Sequence, residues 1–514
     1  MVENKVFFSL RRWNSVCLAA GMIAASAAGF SQEDAETAAQ RYAADILSIE
    51  VEIPAARRPN QPDKEKVAAA RLRDADGSSF EETEGAIRYG TPSEINAVID
   101  EITESGDPRY VDALYDLFQA SDSNDIKCKV LDYFAHLKDG CLSDYAVTVL
   151  DDPYDEPNSV VEKAFSYVAA VECHEAAPAL VKLLESGEET YFSGALSALG
   201  KTGGGAEAVY LSEYIRRDDL TAPQRQALMR TLGEMCAVDT WERLSEIAQD
   251  GNENVFVRMY AAEAIGKMKL EESVPILIKL YGEGDPNLRQ YCVKGLSYFP
   301  GSAEAVNAVL QAIRDDHYKV RIEAVKAAGA LKLTDAVDFL TYRAKKDPEA
   351  AVKKECYPVI AELNTAAGNE FLTGLLSDKK SSDTVKAQAA EALLQSGHAG
   401  EAEVAALARE ALQDDRRMQL RHTLGKLLIK YGGPAYAEVC AGYVQSKDVT
   451  TVSQGLEMYR NSRYESAKPS VASVAEEKKA SANRSKARKL LGMDEEDVEP
   501  PAAGQGPIPA SDAK

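Results

Sequence analysis

Residues 257–266 read Val-Arg-Met-Tyr-Ala-Ala-Glu-Ala-Ile-Gly, and residues 271–281 read Glu-Glu-Ser-Val-Pro-Ile-Leu-Ile-Lys-Leu-Tyr. In the first stretch Val257, Ala261, Ala264, Ile265 and Met268 recur at helical spacing, and in the second Val274, Leu277, Ile278 and Tyr281 do the same. Each stretch is therefore an amphipathic helix, and the two together form a hairpin. A lone hairpin cannot bury both of its apolar faces, so it requires copies of itself on either side.

The chain supplies those copies. Aligned on Ile265, the apolar anchor recurs at Ile102, Phe134, Val168, Leu199, Leu232, Leu296, Ala328, Ile360, Leu393, Leu427 and Tyr459. The period is roughly 31–34 residues, that of paired-helix solenoid units, which gives about twelve hairpins. A small residue follows the anchor over a long run: Ala135, Ala169, Gly200, Gly233, Gly266, Ser297, Gly329 and Ala361. Four positions before the anchor stand Val98, Val130, Ala164, Ala195, Leu228, Ala261, Cys292, Ala324, Cys356, Ala389, Thr423 and Gly455. Small side chains there let helices pack at the short end of the usual interaxial distance of about 8–10 Å. A basic column opens the first helices: Lys127, Arg225, Arg258, Arg289, Arg321, Lys353 and Lys386.

The Val-Arg-x-x-Ala-x-x-Ala-Ile/Leu-Gly pattern at 257–266 and its weaker copies resemble the HEAT-repeat family, including its bacterial HEAT-like branch. The resemblance implies an all-α superhelix over residues 85–485. It also implies that Arg225, Arg258, Arg289, Arg321 and Lys353 form a structural ladder, pairing with acidic residues of neighbouring units. Second helices line the concave face in this family, which makes Tyr342, Arg343, Lys345 and Lys346 the candidate binding cluster. Arg and Tyr are enriched in binding hot spots, while Lys345 and Lys346 also suit the negative end of a helix dipole.

The flanking segments read differently. Residues 1–31 carry Lys5, Arg11 and Arg12 before an apolar run from Val16 to Ala28. That is a signal-peptide pattern, open to cleavage after Ala27 or Ser31, and its run is shorter than the about twenty residues a bilayer span needs. Residues 32–84 form a charged, Ala- and Pro-containing arm, partly disordered, with a short helix over residues 64–73. Residues 486–514 are an acidic, Pro-rich tail expected to be disordered.

The net charge is −23, with 82 acidic against 59 Lys and Arg residues. Such a balance disfavours nucleic acid, whose phosphates need a basic face. The excess is uneven: residues 91–190 hold about sixteen more acidic than basic side chains, whereas residues 316–355 are slightly basic. The acidic half favours a partner with a basic surface.

Catalytic and metal signatures are weak. Cys292 and Cys356 occupy the small-residue packing column and read as buried thiols. Among the five histidines only His174 and Glu175 form a His-Glu pair. Deoxyhypusine hydroxylase, a HEAT-like enzyme, uses four such pairs to hold two irons, so that likeness ends at the fold. Gly203, Gly204 and Gly205 lack the following Lys-Ser/Thr of a phosphate loop. The expectation is a non-catalytic, exported HEAT-repeat scaffold for protein–protein interaction in the cell envelope, periplasmic, without cofactor, metal or nucleic acid, and without a membrane-spanning segment after cleavage. Two other classes fit the same sequence: a lyase-like enzyme or accessory, and a cell-wall or outer-membrane structural component.

Overall fold

A computed structural model describes residues 41–44, 55–73, 78–217, 219–479 and 481–493. The expected signal peptide and the Pro-rich tail beyond Met493 lie outside the described residues. Among these residues there are helices and turns but no strand. The chain divides into two compact units, residues 1–309 and 310–514.

In the first unit, hairpins follow one another from Pro92–Ser105 with Val111–Ala120 to Val255–Lys267 with Ser273–Tyr281, and Pro286–Leu296 opens the next. First helices pack on the first helices of adjacent hairpins, as Val255–Lys267 does on both Ala222–Met235 and Pro286–Leu296. The second unit repeats the plan from Tyr318–Ala330 with Val337–Lys346 to Val449–Ser462 with Lys468–Ala475. A further helix, Ala482–Leu490, runs past residue 485, so helical structure continues into the segment expected to be tail. At the other end, Lys64–Arg73 and Ser78–Tyr89 are helical within the expected arm.

Local chemistry explains where helices begin. Thr91 and Glu94 form a capping box, as do Thr221 and Gln224; each pair satisfies N–H groups that the first turn leaves unbonded. Asp285 accepts from Asn287 and Leu288 N–H, with Pro286 at the first helical position, where a missing N–H is harmless.

The ends of the first helices share a device invisible in the anchor pattern. Four residues after the anchor, the backbone takes a positive φ at Gly106, Lys138, Glu172, Cys236, Lys269, Lys332, Asn364, Gly397 and Arg463. This left-handed residue stops the helix and turns the chain toward the second helix. It also exposes a register error in the sequence reading. In Met418–Tyr431 the positive φ falls at Gly432, which makes the anchor Leu428 and not Leu427. Arg421 then matches Arg258, Leu424 fills the packing column, and Thr423 is half-buried with its hydroxyl donating to Gln419 O at 2.9 Å.

The packing column is otherwise inside: Val130, Ala164, Ala195, Leu228, Ala261, Cys292, Ala324, Cys356 and Ala389 have no exposed surface. Val98, in the first hairpin, is half-buried. The small residue after the anchor meets the next first helix. A Cβ on Gly266 would lie 2.5 Å from Gly295 Cα, and one on Gly233 would lie 3.0 Å from Ala264 Cβ. Cys292 and Cys356 are free and fully buried, and burial lifts the Cys356 thiol to about 12.

Candidate functional site

The arginines of the basic column reach back to the end of the preceding hairpin, and Arg225, Arg258 and Arg321 also pair with a carboxylate at the far end of their own. Arg258 Nε donates to Ala248 O at 3.0 Å, in the preceding second helix, and its Nη2 reaches Glu283 Oε1, 2.9 Å away at the far end of its own hairpin. Arg225 repeats this with Ile215 O and Glu253. Arg289 donates to Gly284 O at 2.7 Å. Arg321 donates to Asp315 O and Asp316 O and forms a forked pair with Asp347. Guanidinium groups thus cap the carbonyls that a helix C-terminus leaves open, at the end where positive charge is favoured.

Arg421, absent from the sequence-based ladder, belongs to it: its Nε donates to Ala411 O at 3.0 Å. The Leu-Arg pair at 420–421, which matches Leu288-Arg289, was the available signal. Lys353 holds the corresponding place half-buried, but it makes no ion pair with a described residue. An ammonium lacks the fork that lets arginine serve carbonyl and carboxylate together.

The candidate binding cluster lies on Val337–Lys346. Val337, Leu340 and Ala344 are buried and fix the helix, which turns Asp338, Phe339, Tyr342 and Arg343 toward one hollow. This hollow has a volume of about 340 Å³, and Arg314 closes it with its guanidinium 5.2 Å from the centre of the Phe339 ring. Tyr342 is 61% exposed. Arg343 is largely engaged: its Nε donates to Ile313 O at 2.9 Å, its Nη1 lies 3.5 Å from Asp347 Oδ2, and its guanidinium sits 5.9 Å from the Tyr342 ring centre. Burial works against charge on Asp347, yet Arg321, the Glu349 N–H and Arg343 together hold its carboxyl below the usual range.

Lys345 faces a second hollow of about 430 Å³, lined also by Thr341, Glu370, Phe371 and Asp378, with its ammonium 4.8 Å from the Phe371 ring centre. Lys346 is exposed and lines neither hollow. Three of the four expected residues therefore line adjoining depressions. The sequence reading missed Arg314, Phe339 and Phe371. Phe339 was accessible through its i, i+3 relation to Tyr342; Arg314 comes from the turn after Ala303–Ala312 and Phe371 from the Ala366–Ser377 helix.

His174 Nδ1 lies 2.6 Å from Thr202 O. Among the described residues, no three His, Cys, Asp or Glu side chains gather as a metal site, and no helix is long and apolar enough to cross a membrane.

The family model for spirochaete HEAT repeat proteins matches residues 87–490. The chain belongs to that family. Its repeat fold supports a protein-interaction scaffold. No curated protein matches this HEAT repeat protein in sequence. Among solved structures it is similar to the CpcE–CpcF complex of phycocyanin lyase from Nostoc sp. PCC7120, at 16% identity over 49% of this chain and 93% of that one, with a TM-score of 0.29. It is similar to Kap121p at 11% identity over 90% of this chain and 57% of that one, with a TM-score of 0.38. Human deoxyhypusine hydroxylase in complex with glycerol is a further structure, at 18% identity over 62% and 96%, with a TM-score of 0.22.

Proposed function

We propose that this HEAT repeat protein is an exported, non-catalytic scaffold of the cell envelope that holds a protein partner on the exposed face of Val337–Lys346. The observation that carries the reading is Tyr342, a largely exposed aromatic side chain beside a hollow bounded by Phe339, Arg314 and Arg343. Aromatic rings and guanidinium groups around a shallow depression are what protein interfaces use as anchors. The cations are already oriented, Arg343 by Ile313 O and Asp347 and Arg314 by the Phe339 ring, so little side-chain freedom is lost when a partner docks.

Export rests on the charged and apolar pattern of residues 1–31. The acidic first unit supports a partner whose surface is basic where it meets residues 91–190, with association that weakens as salt rises. The test is affinity capture from crosslinked envelopes with wild-type bait and with Tyr342→Ala bait. The reading expects a stoichiometric partner with the first and its loss with the second. Equal recovery by both baits overturns the assignment of this face.

A further inference from the structure

In the first unit, the chain's own N-terminal arm lies across the turns that join first to second helices. The Lys64–Arg73 helix buries Ala70 and packs near the Pro108–Tyr110 turn of one hairpin. Asn60 N–H donates to Asp139 Oδ2 at 2.7 Å in the turn of the next. Arg57 Nη2 lies 3.7 Å from Glu175 Oε1 in the turn after that, and Tyr42 donates its hydroxyl to Glu207 at the start of the second helix, Gly205–Tyr214, of the fourth. The arm thus runs against the order of the repeats.

The register has a physical basis. Residues 55–63 are without helix, and Pro59 and Pro62 are half-buried. Proline fixes φ and keeps such a segment extended before it docks. Three extended residues reach at most about 11 Å, which matches the about 8–10 Å between packed helices. Asn60 and Arg57, three residues apart, therefore fall on successive turns.

The ridge offers carboxylates in a matching row. Asp139 is only 6% exposed and uses its other oxygen to accept Cys141 N–H at 3.0 Å, so it is held in place before the arm arrives. Glu207 is fixed by accepting Gly204 N–H at 2.7 Å. The row continues past the arm with Asp239, Glu271 and Glu272, all exposed at the next two turns. The hold on the arm is light: the side chains of Arg57 and Glu175 are 65% and 36% exposed, and exposed pairs contribute little.

We infer that this ridge of turns is a binding surface for an extended, arginine- and proline-containing segment of a partner protein, and that residues 57–60 occupy it in cis as a displaceable substitute. The surface belongs to the first unit alone, so its failure leaves the Tyr342 reading standing, and the reverse also holds.

The probe is a fluorescent synthetic peptide with the sequence of residues 54–64, titrated at low salt into the full chain and followed by anisotropy. A tethered arm competes at an effective concentration in the millimolar range, so Arg57→Glu, which loosens the arm, is expected to bind the peptide about three- to fivefold more tightly than wild type, the scale of one exposed ion pair. Adding Glu175→Arg re-pairs the arm and removes that gain, and a peptide with Glu in place of Arg57 then binds the double variant only as the unchanged peptide binds wild type. Hydrogen exchange at the Asn60 amide, which Asp139 accepts, is slow in wild type and faster in Arg57→Glu. Equal peptide affinity for wild type and Arg57→Glu, or an unprotected Asn60 amide in wild type, overturns the inference. Both substitutions are on the surface, and unchanged circular dichroism establishes that the variants are folded.

Discussion

Arg321 and Asp347 form a forked pair, Nε to Oδ2 and Nη2 to Oδ1, both at 2.8 Å, with side chains 6% and 0% exposed. Arg343 approaches the same carboxylate, so the ladder and the proposed binding face of the second unit share one buried anion. Removing it leaves two cations short of their partner. Asp347→Ala is expected to destabilise the second unit by about 3–5 kcal/mol, the usual cost of orphaning a buried charge. Urea unfolding followed by circular dichroism reads this directly; a loss below about 1 kcal/mol would mean that the anion is dispensable.

Acid acts on the same unit through a second carboxylate. Asp448 accepts from Thr451 N–H and hydroxyl and lies 2.7 Å from His422 Nε2. Its hydrogen bonds to the Thr451 side chain and to His422 push its carboxyl down to about 2. A carboxyl lowered in the folded state adds stability that is complete above its unfolded value of about 3.9. That stability is lost as pH falls through the folded value. The contribution should fade between about pH 4 and pH 2. Asp448→Asn should flatten this part of the stability profile; a profile identical to wild type would count against the pair.

Two glycines should respond in opposite directions. Gly266→Ala places a methyl group 2.5 Å from Gly295 Cα, backbone that cannot swing aside. Forced separation of Val255–Lys267 from Pro286–Leu296 should cost about 1–3 kcal/mol. Gly374, inside Ala366–Ser377, has open space where a methyl group would stand, with no neighbouring atom within 4 Å. Gly374→Ala should therefore add about 0.5–1 kcal/mol through helix propensity. Thermal unfolding of the two variants side by side decides it, and shifts of the same sign would refute the close-packing account.

The repeat was legible because packing imposes one chemistry at each column: an apolar anchor, a small neighbour and a cation at the start of the first helix. It was least legible where another residue type does the same job. Lys138, Glu172, Cys236 and Lys269 take the left-handed conformation usually given to glycine, so the helix ends carry no common letter. Met418–Tyr431 does end at a glycine, Gly432, but with no shared letter at the other ends the sequence alone aligns Leu427 with the anchors and leaves Arg421 out of the ladder. The exposed face was partly readable, since Tyr342, Arg343 and Lys345 lie close together in the chain. Arg314, from the turn after Ala303–Ala312, lines the one hollow and Phe371, from Ala366–Ser377, the other, a relation that only the fold creates.

The register itself can be tested at Gly432, whose φ of 63° and ψ of −164° lie in a region essentially restricted to glycine. Gly432→Ala should cost about 1–3 kcal/mol. A neutral substitution in chemical denaturation would show that the first helix does not end there.

The central claim is that an exposed aromatic face of the second unit holds a protein partner. Its most direct test is quantitative mass spectrometry of crosslinked affinity captures with wild-type, Tyr342→Ala and Arg314→Ala baits, each shown to melt like wild type. The account predicts one partner near equimolar with wild type and reduced at least tenfold with both variants, as the loss of an anchor worth about 2 kcal/mol or more requires. The same partner at undiminished yield with both variants, or no protein enriched by the wild-type bait, would contradict it.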